Sequence, residues 1–273
     1  MFQQRAPKTG AASVLSTLDV IFHVTVRKMR ANHGNPIIGL LINILQIAMM
    51  VAIFYLMFAI LGMRSSAVRG NFLLYVMSGI FMFMTHIKAM GAVGGAEGST
   101  SPMMQHAPMN TVVSIVASAL AALYTQILSA GVVLYVYHAA VEPLTFQHPI
   151  GVLGMLLVSW ASGCAIGLIF MAAKPWAPNL MPILRQVYMR ANMIASGKMF
   201  LANTMPTSLL KMFDWNPLFH TIDQGRGFMF LNYNPHYSSI SYPIKVTLCC
   251  LMIGVLLEYF TRKHASLSWA AGK

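Results

Sequence analysis

The chain has 273 residues, of which 57% are hydrophobic and 9% are charged, and its formal net charge is +12. A soluble domain usually carries about 25% charged residues, so the composition excludes an ordinary soluble protein and indicates one that lies largely within a bilayer. The basic residues are scattered among apolar segments. We therefore assign the positive charge to membrane orientation and anionic lipid head groups, with no nucleic-acid partner.

The first predicted element is an amphipathic helix over residues 14–30. Its charged and histidine residues fall largely away from one helical face, on which the apolar residues recur. These apolar residues are Val14, Leu18, Ile21, Phe22 and Val26. A helix of this pattern with a basic end typically lies in the plane of the membrane interface. An ordinary soluble lead-in helix is the alternative.

Long apolar runs follow this helix, and their length predicts transmembrane helices. Five of them come close to the ~20 residues that cross a bilayer: 37–62, 71–90, 111–137, 149–173 and 244–261. A sixth run, 177–197, contains two arginines. Because every backbone polar group must be satisfied within lipid, we predict an all-α integral membrane protein with six transmembrane helices.

The predicted organisation has three parts. Residues 1–36 form a cytoplasmic tail and the interface helix, residues 37–261 the transmembrane domain, and residues 262–273 a cytoplasmic tail. With the N-terminus inside, ten basic residues lie on the cytoplasmic side and six on the outer side. This bias favours both termini inside. The first apolar run begins too late and is too long for a cleavable signal peptide.

The loop over residues 91–108 is unusually rich in small residues, and it follows the second run on the cytoplasmic side. The hydroxyls of Ser99, Thr100 and Ser101 can accept bonds from the free N–H groups of a short helix that starts at Pro102. Such a helix would dock into a partner. A flexible linker is the alternative.

The sixth run has polar residues around much of its circumference. Arg185 and Arg190 are separated by about 140° of helical rotation, and Asn192 lies seven residues after Arg185. A charge at mid-membrane is costly and usually faces a bundle interior or a hydrated path. We predict that Arg185, Tyr188 and Arg190 meet an anionic glycan or its phosphate linkage, with Asn192 in the same channel. Snorkelling to head groups, or a bond to a carbonyl on a neighbouring helix, is the alternative.

The segment over residues 198–243 is long, amphipathic and rich in aromatic residues. A break this apolar either packs on the bundle or dips into the membrane, and we predict a partly re-entrant outer segment. Its aromatic residues form an interfacial girdle. They are also suited to stacking on sugar rings.

Enzyme chemistry has little support in the sequence. There are six acidic residues, no paired carboxylates within a span and no histidine metal motif, and the three cysteines sit inside apolar runs. Asp214 and His220 could serve a membrane-embedded transferase, although helix-capping roles are commoner. A secondary transporter would usually show a buried acid for ion coupling or a repeated pair of broken helices. No convincing internal repeat appears, and Glu258 lies at a cytoplasmic span end. We predict no catalytic residue and no metal site.

These features together resemble the permease subunit of bacterial ABC exporters for capsular polysaccharide and O-antigen. The resemblance covers essentially the whole chain: an amphipathic interface helix, six spans and a small-residue cytoplasmic loop. Its most specific piece is Asn216-Pro217-Leu218 followed by Asp223 and Arg226. In the family the acid is usually Glu, and the loop over 91–108 is less clearly patterned here than in the family.

The resemblance implies a homodimer in the bacterial inner membrane that exports a lipid-linked polysaccharide. Two copies of a separate ATPase subunit would bind below it, with ATP and magnesium held there and no cofactor in this chain. The loop after the second span would be the coupling element. Its residues are Glu97, Ser99, Thr100, Pro102, Met103, Met104 and Gln105. The sequence has no G-x-x-x-x-G-K-[ST] phosphate loop, so an ATP-driven transporter needs a second chain.

Two further implications concern partners and alternatives. For a capsule exporter the resemblance implies a periplasmic co-polymerase and an outer-membrane exporter. Within the same fold, a permease for a lipid or a small amphiphile is the alternative, and outside it the membrane-embedded transferase.

Overall fold

The computed structural model describes residues 10–31, 35–60, 72–98 and 111–264. Within these ranges the secondary structure is helical, with no strand. In chain order the α-helices are α1 (Gly10–Ala31), α2 (Pro36–Ile60), α3 (Phe72–Gly94), α4 (Thr111–Ala140), α5 (Pro149–Ala173), α6 (Leu180–Ala195), α7 (Thr207–Phe213), α8 (Pro217–Met229) and α9 (Ser241–His264). A single 3₁₀ turn, Ala202–Thr204, precedes α7.

Five of the described helices are long and apolar enough to cross a membrane: α2, α3, α4, α5 and α9. The predicted all-α membrane protein is confirmed at this level. The sixth predicted run forms α6, which has 16 residues and is therefore about 24 Å long. This is shorter than the ~30 Å hydrocarbon core.

Helix α3 is the centre of the bundle. In its apolar window 78% of the residues are buried, against 22% in α2 and 11% in α9. It contacts α2, α4, α5 and α8. Many apolar side chains of α2 and α9 are exposed on the outside of the isolated chain, whereas those of α3 face other helices.

Helices α3 and α5 run parallel and unusually close together. Ser159 Oγ of α5 donates to the Met82 carbonyl at 2.7 Å. Further along both helices, Gly163 lies on the carbonyl of His86 and Gly167 on that of Met90. The paired positions increase together in both helices, which defines their common direction. Small residues allow this approach of two backbones, as is typical of membrane helix pairs.

Helix α6 runs antiparallel to α3 and is held at a greater distance from it. Arg185 lies beside Gly94 at the far end of α3, and the Tyr188 hydroxyl is 3.0 Å from Nε2 of His86. The chain then reaches Gly79, because the carbonyl of Lys198 lies 2.9 Å from where a Cβ of Gly79 would be. Residues 185–198 thus extend along most of α3.

Residues 196–240 fold back onto one end of the bundle, and we call them the outer cap. Leu218, Ile222 and Met229 of α8 are buried in the main hydrophobic core together with residues of α3. Gly225 of α8 lies against the Met82 side chain. These contacts place the segment against the bundle, and its partly re-entrant position in a membrane stays a prediction.

Helix α1 covers nearly the predicted range and packs on α4. Val24 is buried with Val113 and Ala117 of α4. On the predicted apolar face, Leu18 and Phe22 are exposed in the isolated chain. Their exposure leaves them available to lipid, and the interfacial position of α1 stays a prediction.

Replacing Gly163 by Ala should weaken the α3–α5 contact. A Cβ at this position would lie 2.3 Å from the His86 carbonyl oxygen, so one helix must move, at an expected cost of about 2 kcal/mol. The measurement is thermal unfolding of the purified protein in a mild detergent. Gly154→Ala is the matched control on the same helix, because nothing lies within 4 Å of that Cβ. Equal unfolding temperatures for the two variants would contradict the close contact.

Candidate functional site

The residues that carried the family resemblance form a buried cluster along α8. The cluster bonds to the end of α6, to the residues that follow α6 and to the loop after α8. Asn216 caps α8, because its Oδ1 accepts a bond from the Leu218 N–H at 3.0 Å. Pro217 occupies the first turn, where its missing N–H costs nothing. The Asn216 amide also donates to Asn192 Oδ1 and to the Ala195 carbonyl, each at 2.9 Å. One side chain therefore joins the start of α8 to the end of α6.

Arg226 satisfies the carbonyl groups that follow the end of α6. Its guanidinium donates to the carbonyls of Gly197 at 3.2 Å, Phe200 at 2.6 Å and Lys198. The side chain is only 1% exposed, and its Cζ lies 4.2 Å from the centroid of the Tyr75 ring. Among the described residues it has no carboxylate in salt-bridge contact. A cation is favourable here because the carbonyl end of a helix carries partial negative charge.

Gly197 makes this junction possible. It has a φ of +67°, a left-handed conformation that glycine adopts without steric cost and that commonly ends a helix. A Cβ there would also lie 2.4 Å from the Phe219 ring. Helix α6 therefore ends just before a residue at which the chain can change direction and pass close to Phe219 of α8.

Asp223 fixes the loop that leads from α8 to α9. Its carboxylate accepts bonds from the hydroxyl of Ser238 at 2.6 Å and from that of Tyr233. Burial, with the neighbouring Asp223 carboxylate, raises the pKa of the Tyr233 hydroxyl. Asn216, Asp223 and Arg226 are each at most 2% exposed. These three motif residues are therefore buried in the outer cap, and their hydrogen bonds join its segments.

Tyr188 belongs to a hydrogen-bonded chain that crosses three helices. Ser162 Oγ donates to the Ser159 carbonyl at 2.8 Å, so it accepts from His86 Nδ1 at 2.8 Å. His86 then carries its proton on Nδ1, and its Nε2 accepts from the Tyr188 hydroxyl. Every side-chain polar atom in this hydrogen-bond network has a partner, and His86 is fully buried. The network attaches α6 to α3 and α5.

The four predicted channel residues do not converge on one surface of the chain. Tyr188 and Asn192 face inward, and their polar groups bond to His86 and Asn216. Arg185 is half-buried beside Gly94, whereas Arg190 is exposed. The predicted angular separation of the two arginines agrees with these positions. Their contact with a glycan stays a prediction.

Lys198 is a buried lysine at the start of the segment over residues 198–243, which we predicted to be the outer segment. It is 3% exposed, and its Nζ has no hydrogen-bond partner within the described part of the chain. The amine lies 3.6 Å from the centroid of Phe83 and 4.7 Å from that of Phe54. Nothing in the local sequence separates this lysine from an exposed one.

Asp214 and His220, which the transferase alternative would use, are bonded to each other and to the backbone of the outer cap. His220 Nδ1 accepts the Ser239 N–H at 3.1 Å, so its proton is on Nε2. That nitrogen lies 2.6 Å from the Asp214 carbonyl and 3.3 Å from its carboxylate. Both ring nitrogens are engaged, and no free lone pair is left for a general base.

The predicted coupling residues are only partly described. Glu97 follows α3 and is half-buried, and its Oε2 has no hydrogen-bond partner among the described residues. Residues 99–105 lie outside the described ranges. In the described part of the chain, no three His, Cys, Asp or Glu residues are arranged to hold a metal ion.

A comparison with models of known protein families finds no match for this sequence, and a comparison with characterised proteins finds none either.

Arg226→Lys should destabilise the outer cap. A lysine ammonium keeps the charge but cannot reach three carbonyls from one planar group, and the lost bonds should cost about 3 kcal/mol. The measurement is the unfolding temperature in detergent. Arg262→Lys is the control, because Arg262 is exposed at the other end of α9 and surface changes usually cost less than about 0.5 kcal/mol. If both variants unfold at the wild-type temperature, Arg226 does not support the cap.

Proposed function

We propose that this chain is the membrane permease subunit of an ATP-driven exporter that moves a lipid-linked polysaccharide across the bacterial inner membrane. The observation that best supports this proposal is the path of residues 174–240. They return along the bundle and are divided into several short helices before α9 begins. Helix α6 follows α3 toward the outer cap, and the chain then turns back through α7 and α8 before it enters α9. This arrangement supports the partly re-entrant outer segment that we propose from the amphipathic sequence of residues 198–243.

The topology that belongs to this proposal has six crossings and both termini in the cytoplasm. Helices α5 and α9 run in the same direction, since Gly254 contacts Leu168 and Thr261 bonds to the Ala172 carbonyl further along both. Residues 174–240 must therefore return from one end of the bundle to the other. We assign that sixth crossing to α6 together with the residues that follow it, and an interfacial position to α1.

The resemblance supplies the partners in this proposal. A homodimer forms the path, and two ATPase subunits bind the cytoplasmic side, where the loop over residues 91–108 couples ATP hydrolysis to movement. Arg185 and Arg190 of α6 are the cationic residues available to an anionic cargo or its phosphate linkage. If the cargo is a capsule, a periplasmic co-polymerase and an outer-membrane exporter complete the route.

The alternative within this fold is a permease for a lipid or a small amphiphile. The exposed apolar side chains of α2 and α9 would suit contact with either cargo. The transferase alternative is weaker, because both nitrogens of His220 are occupied within the outer cap.

The proposal is tested by purifying the tagged full chain in a mild detergent and identifying co-purifying proteins by mass spectrometry. We expect a stoichiometric ATP-binding subunit with ATPase activity. The double change Met103→Asp and Met104→Asp should remove it, because two charges replace apolar contacts in the predicted coupling loop. Met212→Asp is the control, since Met212 is an exposed methionine of the outer cap.

Two outcomes would contradict the proposal. One is purification of the chain alone, without ATPase activity. The other is equal retention of the ATPase subunit by the loop variant and by the Met212→Asp variant.

A further inference from the structure

A cavity of about 720 Å³ opens in the outer cap, between α7, the loop after α8 and the start of α9. Its volume is within the range of small-molecule sites. The residues that matter here are Lys211, Trp215, Tyr237, Tyr242 and Lys245, all of which line it. None of them belongs to the buried cluster around Arg226.

The aromatic residues of this cavity offer mainly ring surface. The Trp215 indole N–H donates to the Met212 carbonyl at 2.7 Å, and the Tyr242 hydroxyl donates to the Trp215 carbonyl at 2.8 Å. Yet Trp215 is 66% exposed and Tyr237 is 50% exposed. The polar atoms of Trp215 and Tyr242 are therefore used within the protein. The face of an aromatic ring carries partial negative charge and attracts C–H groups, such as those on the apolar face of a pyranose.

The charge of the cavity is predominantly positive. Lys211 and Lys245 are both exposed, and neither forms a salt bridge among the described residues. The one acid in the lining is Asp214, whose carboxylate lies 3.3 Å from Nε2 of His220. Two lysines on different helices thus flank an exposed aromatic surface, and both ammonium groups are available to an anion.

We propose that this cavity binds an anionic saccharide. Pyranose rings would stack on Trp215 and Tyr237, and the carboxylate or phosphate groups of the sugar would meet Lys211 and Lys245. The inference deepens the proposed function, on which its biological meaning rests: the cargo would be acidic, and the outer cap would hold it as it leaves the membrane domain.

A binding assay on the full chain tests this inference. The chain is placed in nanodiscs of phosphatidylcholine and titrated with tetragalacturonate, an acidic tetrasaccharide, with maltotetraose as the neutral probe of equal length. Binding is followed by thermophoresis at physiological ionic strength, where weak surface attraction is largely screened. We expect tetragalacturonate to bind more tightly than maltotetraose.

Variants locate the site. Lys211→Gln combined with Lys245→Gln, and separately Trp215→Ala, should each weaken tetragalacturonate binding at least about tenfold. Trp215→Phe keeps a ring face and should retain most of the affinity, which separates stacking from a loss of folding. Lys174→Gln and Tyr259→Ala are the matched controls, because both residues are exposed and neither lines the cavity.

The inference is overturned if the two probes bind equally, if no probe binds, or if the cavity variants bind like the controls. It is also overturned if phosphatidylglycerol in the nanodisc competes with tetragalacturonate as strongly as the free sugar does, because the cavity would then be a lipid head-group site. None of these binding measurements depends on an ATPase partner. Loss of the exporter assignment and loss of the sugar site can therefore be observed separately.

Discussion

The packing of the segment named the outer cap depends on one guanidinium group and the carbonyls to which it donates. A helix that ends inside a membrane protein leaves carbonyl groups without partners, and these are costly where water is excluded. In the turn that follows α6, Arg226 donates to the carbonyls of Gly197, Lys198 and Phe200. The same arginine belongs to α8, so these bonds also position the cap. Asn216 makes the reciprocal connection, from the start of α8 to the last turn of α6.

Two kinds of contact hold the bundle, and they differ in how firmly they fix a helix. Helices α3 and α5 are packed backbone to backbone through Gly163 and Gly167, an arrangement with little room to move. Helix α6 is instead attached by long polar side chains, such as Tyr188 to His86. Polar side-chain contacts can be exchanged for others, whereas a close glycine contact cannot. A change in the position of α6 relative to α3 would therefore disturb less close backbone packing than a change in that of α5.

Part of this architecture could be predicted from the sequence. Apolar length predicted the five long helices, because a bilayer demands it of any span, and periodicity predicted α1. The motif from Asn216 to Arg226 could be recognised in the sequence, but the hydrogen bonds that its residues form could not be predicted. Arg226 bonds to carbonyls about thirty residues away, and Tyr188 bonds to a histidine 102 residues away. Periodicity reports only neighbours on one helix, so such partners need the three-dimensional arrangement. Lys198 shows the same limit, because its aromatic surroundings come from α2 and α3.

In the topology that we propose, α6 carries the chain from the cytoplasmic side to the outer cap. Its most direct test is cysteine labelling in intact cells, with Cys164, Cys249 and Cys250 replaced by serine. Single cysteines are then placed at Lys174, before α6, and at Lys211, in the cap; both lysines are exposed. A membrane-impermeant maleimide should label Lys211→Cys in intact cells and Lys174→Cys only after permeabilisation. Labelling of both positions from the same side would contradict the account.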